Sequence, residues 1–120
     1  MAEFVNSRMQ ELITYADFLK PDMRIGTILT AQVFTNAIKP AYQLTIDFGP
    51  LGVKTSSAQI TVHYTPEELV GRQIIAVVNF PAKQIANFFS ECLILGAVQA
   101  DESVVLLQPE RKVENGSRIA

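Results

Sequence analysis

The chain has 120 residues, of which 48% are hydrophobic and 18% charged, with a formal net charge of −2. This size fits one domain with a core that needs no staples, and the composition argues against a disordered chain. The slightly acidic balance counts against nucleic acid as the main partner, because phosphate contacts ask for a basic footprint. Lys39, Lys54, Arg72 and Lys83 leave room for a local basic patch.

In chain order, Val5, Met9, Leu12, Ile13, Ala16 and Leu19 recur at helical spacing and predict an amphipathic helix ended by Pro21. Such a helix must bury its stripe against its own barrel or a second copy. From Arg24 the period turns to alternation, and Ile25 to Phe34 reads as a long strand in which Gly26 marks a bulge or a close backbone approach. Asn36 to Ala41 is a loop. Tyr42, Leu44, Ile46 and Phe48 share one parity and predict a strand with one buried face. A turn at Gly49, Pro50 and Gly52 leads to a third strand, Val53 to Ile60, rich in small polar residues.

Thr65, Pro66, Glu68 and Gly71 then punctuate a short helix, with an N-cap, a proline at its first position, a capping box and a left-handed end. Ile74 to Val78 is a buried strand, Phe80 to Asn87 a connection, and Phe89 to Leu95 and Val104 to Gln108 are further strands separated by Gly96 to Ser103. Asn115 and Gly116 turn into a short last strand, Ser117 to Ile119. Five or six short strands with one helix inserted midway predict an all-β, five-stranded OB-fold barrel over residues 23–120, preceded by an N-terminal helical segment at residues 1–22.

A single cysteine, Cys92, excludes an intrachain disulfide and fits a reducing compartment. The N-terminus lacks the pattern of a signal peptide, and no run approaches the ~18 apolar residues of a membrane span. No membrane insertion is expected, and the protein reads as cytoplasmic.

Nothing in the chain assembles into a catalytic set. His63 is the only histidine and reads as a surface or capping residue, while Cys92 lies in an apolar strand pattern and reads as a buried, inert thiol. One His and one Cys make no metal set. Glu67 and Glu68 suit a helix N-terminus better than acid–base work, so an enzyme, a metal or a cofactor is not expected. Ser56, Ser57 and Gln59 line either a polar groove or a solvated strand face. Of Phe34, Phe80, Phe88 and Phe89, at least half belong to buried structure and the others to an apolar cleft.

The stretches "LTIDFG", "VKTSSAQIT", "YTPEELVGRQIIAVVNFP" and "SECLILGA" follow one another in this order, and "DFLKPDMRIGTI" places Arg24 and Gly26 in an R-x-G opening. Together they resemble the tRNA-binding-domain family, found appended to some aminoacyl-tRNA synthetases and as free-standing proteins. "VVLLQPE" and "NGSRI" are most similar to its CsaA-type branch of export-related chaperones. The resemblance covers roughly residues 15–120. It implies an OB-fold homodimer with a cleft for unfolded or precursor polypeptides or for tRNA. It also implies that Asn36, Lys39, Asn79, Lys83, Ser90, Glu91 and Leu93 contact the ligand. Asn87, Phe88 and Phe89 stand where the family often has Lys or Arg, and Leu93 where tRNA-binding members often have Met. Both departures favour a peptide over tRNA.

Overall fold

The computed structural model describes residues 8–120. A short helix α1 (Tyr15–Leu19) precedes the strands β1 (Met23–Val33), β2 (Tyr42–Asp47) and β3 (Val53–Ala58), a second short helix α2 (Pro66–Leu69) and strand β4 (Gln73–Val77). Five short strands follow: β5 (Lys83–Ile85), β6 (Phe88–Ser90), β7 (Leu93–Ile94), β8 (Gly96–Val98) and β9 (Val104–Leu106). The main sheet is antiparallel, in the order β3-β2-β1-β4-β7, with β5-β6 and β8-β9 as separate hairpins. It curls into a nearly closed barrel of the OB type.

The curl starts in β1. Its first half, Met23 to Thr27, pairs with β4, and from Thr27 onward it pairs with β2. The register slips between Ile28 and Thr30, and such a bulge bends a strand so that it can serve two partners. Gly26 lies before it, in the half paired with β4, where a Cβ would lie 2.6 Å from Ile46 Cγ2 and 2.7 Å from Phe48 Cε1. It is therefore a close approach, and the bulge falls three residues later.

Alternation in β2 places Tyr42, Leu44 and Ile46 inside, continued by the fully buried Phe48. Ile28, Leu69 and Ile74 complete the centre of the core. Leu69 reaches it because α2 is held at both ends. The Thr65 amide donates to Glu68 Oε1 (2.7 Å), and Gly71, at φ +91°, turns the chain so that its amide meets Ile28 O (2.8 Å). Full burial of each such side chain stabilises the fold by about 1.5–3 kcal/mol.

Five expectations need correction. The N-terminal helix covers only Tyr15–Leu19, because Thr14 and Asp17 form a reciprocal capping box (both hydrogen bonds 3.1 Å) that starts the helix there. Residues 8–14 are not helical, and Val5 lies outside the described residues. The connection Phe80 to Asn87 contains β5, paired with β6 through a two-residue turn in which Ala86 takes φ +55°, a conformation an alanine rarely signals. The expected strand Phe89 to Leu95 is broken after Ser90, where the chain leaves β5 to join β4. Gly96 to Ser103 holds a strand, β8, in a hairpin with β9. The last strand, Ser117 to Ile119, is a single bridge, Arg24 with Arg118, flanked by hydrogen bonds from the Ile25 amide to Ser117 O (3.0 Å) and from the Ile119 amide to Met23 O (2.9 Å).

Candidate functional site

The barrel closes between β3 and the segment Phe89 to Cys92, and side chains do much of the closing. The Glu91 amide donates to Thr55 O (2.8 Å), and the Thr55 amide donates to Glu91 Oε1 (2.9 Å). The single Thr55 hydroxyl proton has two acceptors in reach, Phe89 O (2.6 Å) and Glu91 Oε1 (2.9 Å). Ser90 Oγ accepts from the Ser57 amide (3.1 Å), and the fully buried Ser56 donates to Cys92 O (3.0 Å). The Thr55 amide, then its hydroxyl, hold the Glu91 carboxyl below the usual carboxylate range, because hydrogen bonds to the ionised form favour it. Ser90 and Glu91 are thus engaged with β3, and Ser56 belongs to the interior rather than to a solvated face.

Two depressions flank the β5-β6 hairpin that hangs from this closure. One, of about 490 Å³, is lined by Phe80, Pro81, Ala82, Lys83, Ser90, Cys92 and Leu93. Phe80 and Leu93 are both about half exposed, at 55% and 50%, so the groove offers apolar surface to solvent. Burial pushes the Cys92 thiol up to about 11, and its Sγ lies 3.8 Å from Thr55 O. That is an inert thiol. The other depression, of about 460 Å³, runs between the β1-β2 loop and the hairpin and is lined by Ala37, Ile38, Lys39, Ala41, Ser57, Gln59, Lys83, Gln84, Ile85 and Ala86.

Lys83 stands on the divide and lines both depressions. Lys39 joins it in the second, and among the described residues no carboxylate lines either one. On a chain of net charge −2 the cleft is therefore locally basic and otherwise apolar to neutral. Arg72 lies elsewhere, stacked 5.2 Å over the Tyr64 ring and donating to Glu68 O.

The fold brings together Lys39, Lys83, Ser90 and Leu93 of the expected contacts. Asn36 is exposed in the same loop as Lys39 but does not line the depression. Asn79 points elsewhere: its Oδ1 accepts from the Asp22 amide (2.9 Å) and its Nδ2 donates to Lys20 O (2.7 Å), fastening the segment before β1. Phe34 is buried and packs edge-on to the half-buried Phe88, 5.4 Å between centroids, while Phe80 and Phe89 stay exposed. Pro81, Ala82, Ile38 and Ile85 were not legible as lining residues. Pro81, Ala82 and Ile85 fall in the stretch read as a connection, which in fact holds β5, and Ile38 falls in the β1-β2 loop.

His63 is exposed, and it caps no helix. Its Nε2 lies 2.8 Å from the buried Ser103 Oγ, which in turn donates to Asp101. In a nucleophilic triad the histidine accepts the serine proton and the carboxylate orients the histidine. Here the serine proton goes to the carboxylate, so the arrangement fastens the β8-β9 turn instead. Among the described residues, no group of three His, Cys, Asp or Glu side chains is placed to hold a metal, and no helix is long and apolar enough to cross a membrane.

Comparison with known proteins matches residues 23–118 to a family described as "Putative tRNA binding domain". The chaperone CsaA of Bacillus anthracis superposes with a TM-score of 0.87 at 53% identity, over 92% of this chain and 100% of that one. The CsaA chaperone protein of Picrophilus torridus gives 0.85 at 55% identity, over 91% and 100%. The methionine–tRNA ligase of Porphyromonas gingivalis is 39% identical over 109 residues, 91% of this chain. The chain spans only 16% of that enzyme's length.

Proposed function

The chain belongs to the tRNA-binding-domain family, and from that premise we propose that it is a homodimeric, export-related chaperone that binds unfolded or precursor polypeptides in the cleft beside the β5-β6 hairpin. The observation that carries this reading is the solvent-open apolar groove of Phe80, Pro81, Ala82 and Leu93. Exposed apolar side chains accept those of an unfolded segment, and the Ser57, Gln59 and Gln84 side chains beside them offer partners for its backbone amides. The resemblance to proteins named CsaA chaperones supports the same reading. Binding requires no catalytic set, no metal and no cofactor, and a single buried thiol suits a cytoplasmic setting. Dimerisation would cover part of the apolar surface left open on the β8-β9 hairpin, where Val98, Val105 and Leu107 are exposed.

The test is light scattering of an aggregating client protein with and without this chain. Suppression near one-to-one is expected, and it should be lost in Leu93→Asp. Absence of suppression at stoichiometric amounts would defeat the proposal.

One observation favours a second reading, a tRNA-binding module. Lys39 and Lys83 share a depression that no carboxylate of the described residues lines, as a phosphate backbone prefers. A tRNA mobility shift that fades steeply with salt, and falls in Lys83→Glu, would favour this reading. No shift at low salt would exclude it.

A further inference from the structure

We propose that the segment Met9 to Ile13 of this chain is a built-in competitor that docks in the apolar groove of the same molecule. This rests on reading that groove as a peptide receptor, and it adds a regulator to it. Three observations meet. First, the arm is apolar and open to water, with Met9 86%, Leu12 90% and Ile13 66% exposed. It precedes residue 23, where the family match begins, so it stands outside the matched domain.

Second, the arm is rooted beside the groove. Asn79 holds Lys20 O and the Asp22 amide, and the next residue is Phe80, the first to line the groove. Five helical residues at about 1.5 Å each and six extended ones at about 3.3 Å each give the arm a reach of roughly 27 Å from that root. Tethering also raises the effective concentration of the arm at the groove.

Third, the chemistry is complementary. In an extended segment, residues i, i+2 and i+4 share a face, so Met9, Glu11 and Ile13 face one way. Two apolar side chains then meet the surface of Phe80 and Leu93, and Glu11 between them meets Lys83, the one charged group among the described residues that line the groove. A client polypeptide must displace this arm before it binds.

The experiment measures anisotropy of a fluorescein-labelled synthetic peptide with the sequence of residues 8–14, titrated with the full-length chain. Met9→Asp with Ile13→Asp should bind the peptide about ten-fold more tightly than the unmodified chain, because its own arm no longer competes. Lys83→Glu, at an exposed position that leaves folding intact, should weaken binding in that background, and a peptide carrying Glu11→Lys should restore it. Equal affinity of the unmodified and double-variant chains, or no binding by either, overturns the proposal. Failure of the chaperone reading looks different: the double variant would bind the peptide yet leave client aggregation unchanged.

Discussion

Thr55 and Glu91 show how one carboxylate can fasten a barrel. Glu91 replaces a stretch of backbone ladder, taking the Thr55 amide and lying within reach of its hydroxyl, while the two backbones share only one hydrogen bond, from the Glu91 amide to Thr55 O. Charge-assisted hydrogen bonds of this kind are stronger than neutral ones. Because the folded carboxyl titrates below the ordinary glutamate value, its stabilisation is complete above about pH 4.3 and fades as pH falls through the depressed folded value. Glu91→Gln should therefore lower stability at pH 7 by on the order of 1 kcal/mol or less given its partial exposure, and lower Tm with it. Thermal melts from pH 7 to pH 3 should show the gap to the unmodified chain closing on the acid side. A gap that stays constant would contradict this account. The sequence marked Ser90 and Glu91 as important through a motif, but their partners lie over thirty residues away, and no local pattern reports a partner that distant.

Elements were legible where the local signal and the tertiary demand agreed. Alternation in Tyr42 to Phe48 and the punctuation from Thr65 to Gly71 both survive in the structure because each also places a core residue, Leu44 and Ile46 in one case and Leu69 in the other. They failed where a pattern lacked a surface. The stripe through Met9, Leu12 and Ile13 has helical spacing but stays exposed in the structure, with no packing to hold it helical, so the Thr14 capping box decides where α1 begins. Gly26 belongs to the first kind, with two readings open in the sequence and one realised. Gly26→Ala would push a methyl group into Ile46 and Phe48, and overpacking of this sort costs about 1–3 kcal/mol. Urea unfolding should show a lower midpoint with an unchanged slope. An unchanged midpoint would mean that β1 can move away from Ile46 and Phe48 at no cost.

At the scale of the molecule, the apolar surface left open calls for a second copy to cover it. Val98, Val105 and Leu107 are each at least 40% exposed around the β8-β9 hairpin. Sedimentation at micromolar concentration is expected to find a dimer, and Val105→Asp to release monomers with an unchanged circular dichroism spectrum. A monomer from the unmodified chain would remove the dimer from the proposed function. Periodicity and punctuation by themselves determined that this chain is a strand-rich barrel with one inserted helix, because alternation and capping are written in neighbouring residues. Ordered motifs determined the family. Only the tertiary structure decided that Glu91 clasps Thr55, that Asn79 holds Lys20 and Asp22, and that Lys39 and Lys83 share one depression. Such relations depend on which distant strands close the barrel, and burial and charge are shared across that closure rather than along the chain.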